Sequence, residues 1–132
     1  MRIVRFLYKG KEDWGIYEEG IVKVLKKSPL VNLELSAREV AFEKVKLLAP
    51  AVASKIILVG LNYQDHAKEL NMPVPKEPVI FLKPPSALIA HGEEIIYPAG
   101  VGRLDYEAEL ALVIRKKAKD ISAEEAWVSF GR

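Results

Sequence analysis

The chain has 132 residues, with 20 basic and 18 acidic side chains giving a formal net charge of +2, and it has no cysteine. That even balance excludes the strongly basic surface expected of a nucleic-acid binder. The missing cysteine excludes disulfides, a thiolate nucleophile and thiolate metal sites.

Hydrophobic residues make up 50% and charged residues 29%, the composition of a globular chain with one domain, or one domain and a small appendage. The opening MRIVRFLYKG alternates apolar and polar residues and lacks the apolar core and small-residue cleavage site of a signal peptide. Apolar runs are strand-sized, short of the ~20 residues a membrane span requires. A soluble, cytoplasmic protein is the expectation.

Residues 1–25 read as a β-meander. Ile3, Arg5 and Leu7 alternate with Val4, Phe6 and Tyr8. A polar turn over Lys9 to Asp13 leads to a strand at Trp14 to Tyr17, and Glu18-Glu19-Gly20 leads to a third at Ile21 to Leu25. Ser36-Ala37-Arg38-Glu39 has the form of a capping box and predicts a short helix to about Leu48, ahead of Pro50. Residues 1–54 are therefore expected to form a small N-terminal β-rich module, and residues 55–132 a second domain.

Ile56-Ile57-Leu58-Val59 and Val79-Ile80-Phe81-Leu82 are short apolar runs predicted as strands buried on both faces. A helix over 64–70 is predicted between them. Glu94 to Tyr97 reads as a strand ending at Pro98, and 105–115 as a long one. Ser122-Ala123-Glu124-Glu125, a second capping box, predicts a helix start. The basic run Arg115-Lys116-Lys117-Ala118-Lys119 reads as a solvated strand end.

Four features bear on chemistry. Strand alternation puts Glu107 and Glu109 on one face, roughly 6.5–7 Å apart at the backbone, close enough for both carboxylates to converge on one cation. The plainer alternative is a strand start facing water. His66 and Glu69 stand at i and i+3 of the predicted helix, where a carboxylate can fix the tautomer of an imidazole and make it a general base. An incidental surface pair would look the same. Lys83, held between a strand and two prolines, can bind a carboxylate or simply mark the strand leaving the core. His91, between Ala90 and Gly92, reads as a loop residue.

Three segments together resemble the fumarylacetoacetate hydrolase family, in particular its small prokaryotic members of the 2-hydroxyhepta-2,4-diene-1,7-dioate isomerase type. They are VGLNYQDHA (59–67), PVIFLKPPSAL (78–88) and GRLDYEAELA (102–111). The resemblance implies a mainly β, α+β fold: a small N-terminal β module followed by a mixed β-roll, usually in a homodimer. It implies Mg²⁺, or Mn²⁺ or Ca²⁺, held by Glu107 and Glu109 with an aspartate, and a catalytic dyad of His66 and Glu69. Lys83 is the candidate for binding substrate. The implied reactions act on 2-oxo or 2-hydroxy-dienoate acids: acylpyruvate hydrolysis, dienoate isomerisation or oxaloacetate decarboxylation.

The family pattern continues past the Ser122 helix to a third metal ligand and a catalytic lysine, so a truncated roll is expected here. The segment 128–132 does not resemble that continuation. Two other functions are compatible with the same residues: a non-catalytic remnant that folds by oligomerising, and a small-acid binding protein.

Overall fold

The computed structural model describes residues 1–129, and its sheets are antiparallel. Residues 130–132 of the C-terminal segment noted above lie outside the described residues. Two compact units emerge, one from 1–51 with the segment from Ala90 onward, the other from Val52–Ile89.

In the first unit, β1 (Arg2–Tyr8), β2 (Lys11–Glu18) and β3 (Ile21–Leu25) form the expected meander. The connections are tighter than the sequence suggests. Lys9 and Gly10 have φ of 49° and 77°, and Glu19 and Gly20 have 46° and 86°. Two consecutive positive φ values are the mark of the two-residue hairpin turn whose twist matches that of the strands. Tyr8 therefore pairs directly with Lys11, and Lys11 to Asp13 belong to β2 rather than to a turn.

The helix expected from Ser36 is not formed. Residues 35–47 instead give β4 (Leu35–Ala41), a 3-10 turn at Phe42–Lys44, and β5 (Lys46–Leu47). The sheet order is β4-β3-β2-β1-β5. The exposed edge of β3 offers this segment a ladder, which satisfies more backbone groups than an isolated helix end would. The Ser36 hydroxyl donates to the Val24 carbonyl at 2.9 Å and accepts from the Arg38 amide at 3.2 Å. It does so at the register shift between Lys23 and Leu25, where pairing is irregular.

Phe6, Val22, Val24 and Val40 form the buried core of this unit, with Val4, Tyr8, Tyr17, Phe42, Val45 and Leu47 packed around them. Alternation along β1 turns Val4, Phe6 and Tyr8 to this face, as read from the sequence. Gly15 of β2 lies against the cluster. A Cβ there would sit 2.3 Å from the Val22 Cγ1 and 2.8 Å from the Lys23 carbonyl oxygen.

After Ala90, two expected strands are missing. Residues 94–97 carry no strand, and 101–113 carry no regular element, with an isolated bridge residue at Ile114. The apolar positions of that stretch are exposed, Tyr106 at 98% and Leu110 at 79%. A strand needs a neighbour to take its backbone hydrogen bonds, and among the described residues no strand runs beside this one. The guanidinium of Arg115 donates to the carbonyls of Leu30 and Val31, at 2.8 and 3.2 Å, so the end of the segment is fastened to the loop after β3. Residues 116–119 are exposed as expected, but the strand they were expected to end is not formed. The helix expected at Ser122 forms as α2 (Ala123–Ser129).

The second unit holds a two-stranded antiparallel ladder of β6 (Ile56–Gly60) and β7 (Val79–Lys83), with α1 (Gln64–Glu69) in the connection. Burial on both faces is not found. β6 alternates half-buried and exposed residues, and β7 is exposed throughout. Covering both faces takes a layer on each side, and this unit has one ladder, one six-residue helix and a short 3-10 turn at Pro85–Ala87. No described helix is long and apolar enough to cross a membrane.

Candidate functional site

α1 owes its length to its C-terminal end. Asn71 adopts φ 51°, the left-handed conformation that asparagine tolerates better than most residues. Its amide donates to the Lys68 carbonyl at 3.0 Å, and the Met72 amide donates to the Ala67 carbonyl at 2.9 Å. These are the two bonds of the Schellman motif, and they stop the helix immediately after Glu69. Ala67 is buried, fixing the helix by that face.

With the helix so held, i,i+3 neighbours meet. The Nδ1 of His66 lies 3.6 Å from the Glu69 Oε2, with the ring 41% and the carboxylate 77% exposed. This is just beyond hydrogen-bonding distance. The carboxylate faces Nδ1, the arrangement that selects one imidazole tautomer. Asp65 and Lys68 make a parallel pair at 2.9 Å, which keeps the Lys68 ammonium on a different acid.

Lys83 is the last residue of β7, paired with Ile56, and is exposed. The ladder runs from that pair to Gly60 opposite Val79, so Lys83 lies at the far end from the one leading into α1. Four residues of strand separate the two ends, about 13 Å. His91 sits in a turn closed by Glu93, whose Oε2 accepts the Ala90 amide at 2.8 Å.

Glu107 and Glu109 lie two residues apart in the irregular segment of the first unit and are exposed. Asp105, next in the acidic row, is held by Arg103 at 2.8 Å. That pairing was not read from the sequence, although opposite charges two residues apart on an extended chain were there to be seen. Among the described residues, no three of His, Asp and Glu come together to hold a metal ion. Carboxylate oxygens are the right donors for a hard cation such as Mg²⁺, but two glutamates fall short of a protein-supplied site. The described residues fit the implied ion in donor type and not in number.

Residues 55–129 match the family described as fumarylacetoacetate (FAA) hydrolase C-terminal, and residues 1–50 match the one described as Rv2993c-like, N-terminal. A protein of Archaeoglobus fulgidus is 55% identical over 83 residues, covering 63% of this chain and 33% of its own length. A human mitochondrial oxaloacetate tautomerase is 45% identical over 86 residues, covering 64% and 27%. Among solved structures, the 5-carboxymethyl-2-hydroxymuconate delta-isomerase of Mycobacterium smegmatis superposes with a TM-score of 0.84 at 33% identity, over 98% of this chain and 51% of that one. The 2-hydroxyhepta-2,4-diene-1,7-dioate isomerase of Mycobacterium marinum gives 0.83 at 31% identity, over 98% and 50%. The chain thus spans about a third or less of these curated relatives and about half of these solved chains.

Proposed function

The chain belongs to the fumarylacetoacetate hydrolase family, and on that premise we propose that it serves a hydrolase- or isomerase-type reaction of 2-oxo or 2-hydroxy-dienoate acids in the cytoplasm. The observation that carries this reading is the His66–Glu69 pair, 3.6 Å apart on a helix with a fixed end.

In this reading His66 takes or returns the proton that interconverts the keto and enol forms of the substrate, or deprotonates the water that cleaves a C–C bond. Glu69 orients the imidazole. Lys83, a flexible point charge, holds a substrate carboxylate. Glu107 and Glu109 are proposed as two oxygen ligands of a divalent cation, Mg²⁺ or else Mn²⁺ or Ca²⁺. When bound, such an ion supplies Lewis-acid polarisation of the 2-oxo group. The described residues do not by themselves complete that site. Residues 1–54 are proposed as a separate small module.

A second reading has its own support. The exposure of the segment bearing Glu107 and Glu109 favours a chain that folds and associates without turning substrate over.

The test follows the decay of enol absorbance of oxaloacetate, and the cleavage of an acylpyruvate, with and without millimolar Mg²⁺ or Mn²⁺. Turnover that falls at least about tenfold in both His66→Ala and Glu69→Gln, with melting temperature unchanged, supports the proposal. Turnover indifferent to both substitutions, or none with any of these acids, rejects it in favour of the non-catalytic reading. A metal-induced rise in melting temperature that Glu107→Ala abolishes supports the ligand assignment, and a rise that survives the substitution rejects it.

A further inference from the structure

α1 is six residues long. That is short of the roughly 12–15 residues below which an isolated helix is marginal in water, so its existence depends on its two ends. The His66–Glu69 pair depends on both. His66 lies in the first turn, and Glu69 is the last residue. Asn71 closes the last turn from outside. The first turn has no side-chain cap. Tyr63, at the N-cap, is extended at φ −107° and ψ 123°, and its carbonyl accepts the Ala67 amide at 3.2 Å.

The chain is directed into that first turn at Leu61, the residue after β6, which is half-buried and has a φ of 50°. In the left-handed region the Cβ of an L-residue crowds the following carbonyl oxygen; glycine avoids this, and asparagine offsets it by local hydrogen bonding. Leucine can do neither. Among the described residues, the other non-glycine positions at positive φ are Lys9 and Glu19, each followed by the glycine of a hairpin turn, and Asn71 and Asp120, the types that tolerate it. Neither explanation covers Leu61. Gly60, although adjacent, stays outside that region. A residue in a disfavoured region persists only where its surroundings fix it, and such positions cluster at functional sites. We propose that Leu61 is a positioning residue for the His66–Glu69 pair: its left-handed turn sets where α1 begins, as Asn71 sets where it ends. The consequence for turnover rests on the proposed function; the consequence for geometry does not.

The test compares Leu61→Gly and Leu61→Asn, which keep access to the left-handed region, with Leu61→Val, whose β-branch closes it. The readouts, in the full chain, are the ring-nitrogen chemical shifts of His66 and the hydrogen exchange of the β6–β7 amides. Leu61→Gly and Leu61→Asn should keep the wild-type His66 shifts. Leu61→Val should move them to those of Glu69→Gln, which keeps the helix and loses the carboxylate. The ladder amides should exchange within about twofold of wild type in all three. Four results overturn the proposal. Wild-type shifts in Leu61→Val mean that α1 starts correctly without the left-handed turn. Displaced shifts in Leu61→Gly or Leu61→Asn as well mean that the leucine side chain, and not the backbone turn, holds the helix. A ladder that opens in Leu61→Val means that the residue supports the whole unit. Wild-type shifts in Glu69→Gln mean that there is no pair to position. Turnover is read separately: it should fall at least about tenfold in Leu61→Val and little in Leu61→Gly. A wild-type chain that turns over none of the acids rejects the catalytic reading and leaves the result at the His66 ring standing.

Discussion

Ser122 and Glu125 cap α2 reciprocally: the Ser122 hydroxyl accepts the Glu125 amide hydrogen at 3.2 Å, and the Glu125 carboxylate accepts the Ser122 amide hydrogen at 2.9 Å. Two amides that a helix start leaves without a partner are satisfied at once. Ser122→Ala is expected to destabilise the first turn of α2 by about 1 kcal/mol. The Ala126 amide, bonded to the Ser122 carbonyl at 3.1 Å, is the reporter. Its hydrogen exchange should speed up by several-fold, and an unchanged rate would count against the cap.

Two glycines of the meander should fail for different reasons when replaced by alanine. At Gly15 the added methyl lands 2.3 Å from a Val22 methyl and 2.8 Å from a backbone oxygen, so the β2–β3 pairing must shift. Overpacking of this kind costs about 1–3 kcal/mol. At Gly20 nothing lies within 4 Å, but φ is 86°. There the cost is purely conformational, about 1 kcal/mol. Urea unfolding of both variants should rank Gly15→Ala as the worse, and the reverse order would refute the packing described for Gly15.

Glu93 links the turn after Ala90 to β5. The Ala90 amide donated to its carboxylate, with Lys46 3.6 Å away, holds that carboxyl below the usual carboxylate range despite some opposing desolvation. A carboxyl depressed in the folded state contributes stability that is present above its unfolded pKa and is lost as pH falls through the folded value. The turn should therefore stay closed at neutral pH and open only in acid beyond the ordinary glutamate midpoint. A carbon-13 titration of the Glu93 carboxyl should give a midpoint below that of an unstructured glutamate. A midpoint at or above it contradicts the hydrogen bond.

What the sequence discloses depends on how local the deciding contact is. The hairpins could be read because glycine at Gly10 and Gly20 announces them, although the two-residue length of each turn could not. Ser36 and Ser122 carry the same four-residue signature, yet only Ser122 opens a helix. The edge of β3 decides the outcome at Ser36, and that edge comes from another part of the chain. The apolar runs of β6 and β7 were legible as strands, but their exposure was not, because burial is set by what covers them. His66 and Glu69 meet because i,i+3 spacing is a local property of a helix. Alternation alone gives Glu107 and Glu109 a common face only if the segment becomes a strand, and that requires a neighbour. The helix stop at Asn71 was legible too, since the helix predicted over 64–70 ends just before it.

Three of the four ladders in the five-stranded sheet join strands consecutive along the chain, while β5 alone reaches back to β1, through Phe6 opposite Leu47 and Leu7 opposite Lys46. Closing a tight hairpin sacrifices little chain entropy, whereas bringing β5 home means looping most of the unit. Nucleation therefore belongs to the hairpins, and the two-residue seam at β5 zips last. The same seam is the first place this unit would fray, baring the edge of β1 beside Phe6 while the hairpins stay intact.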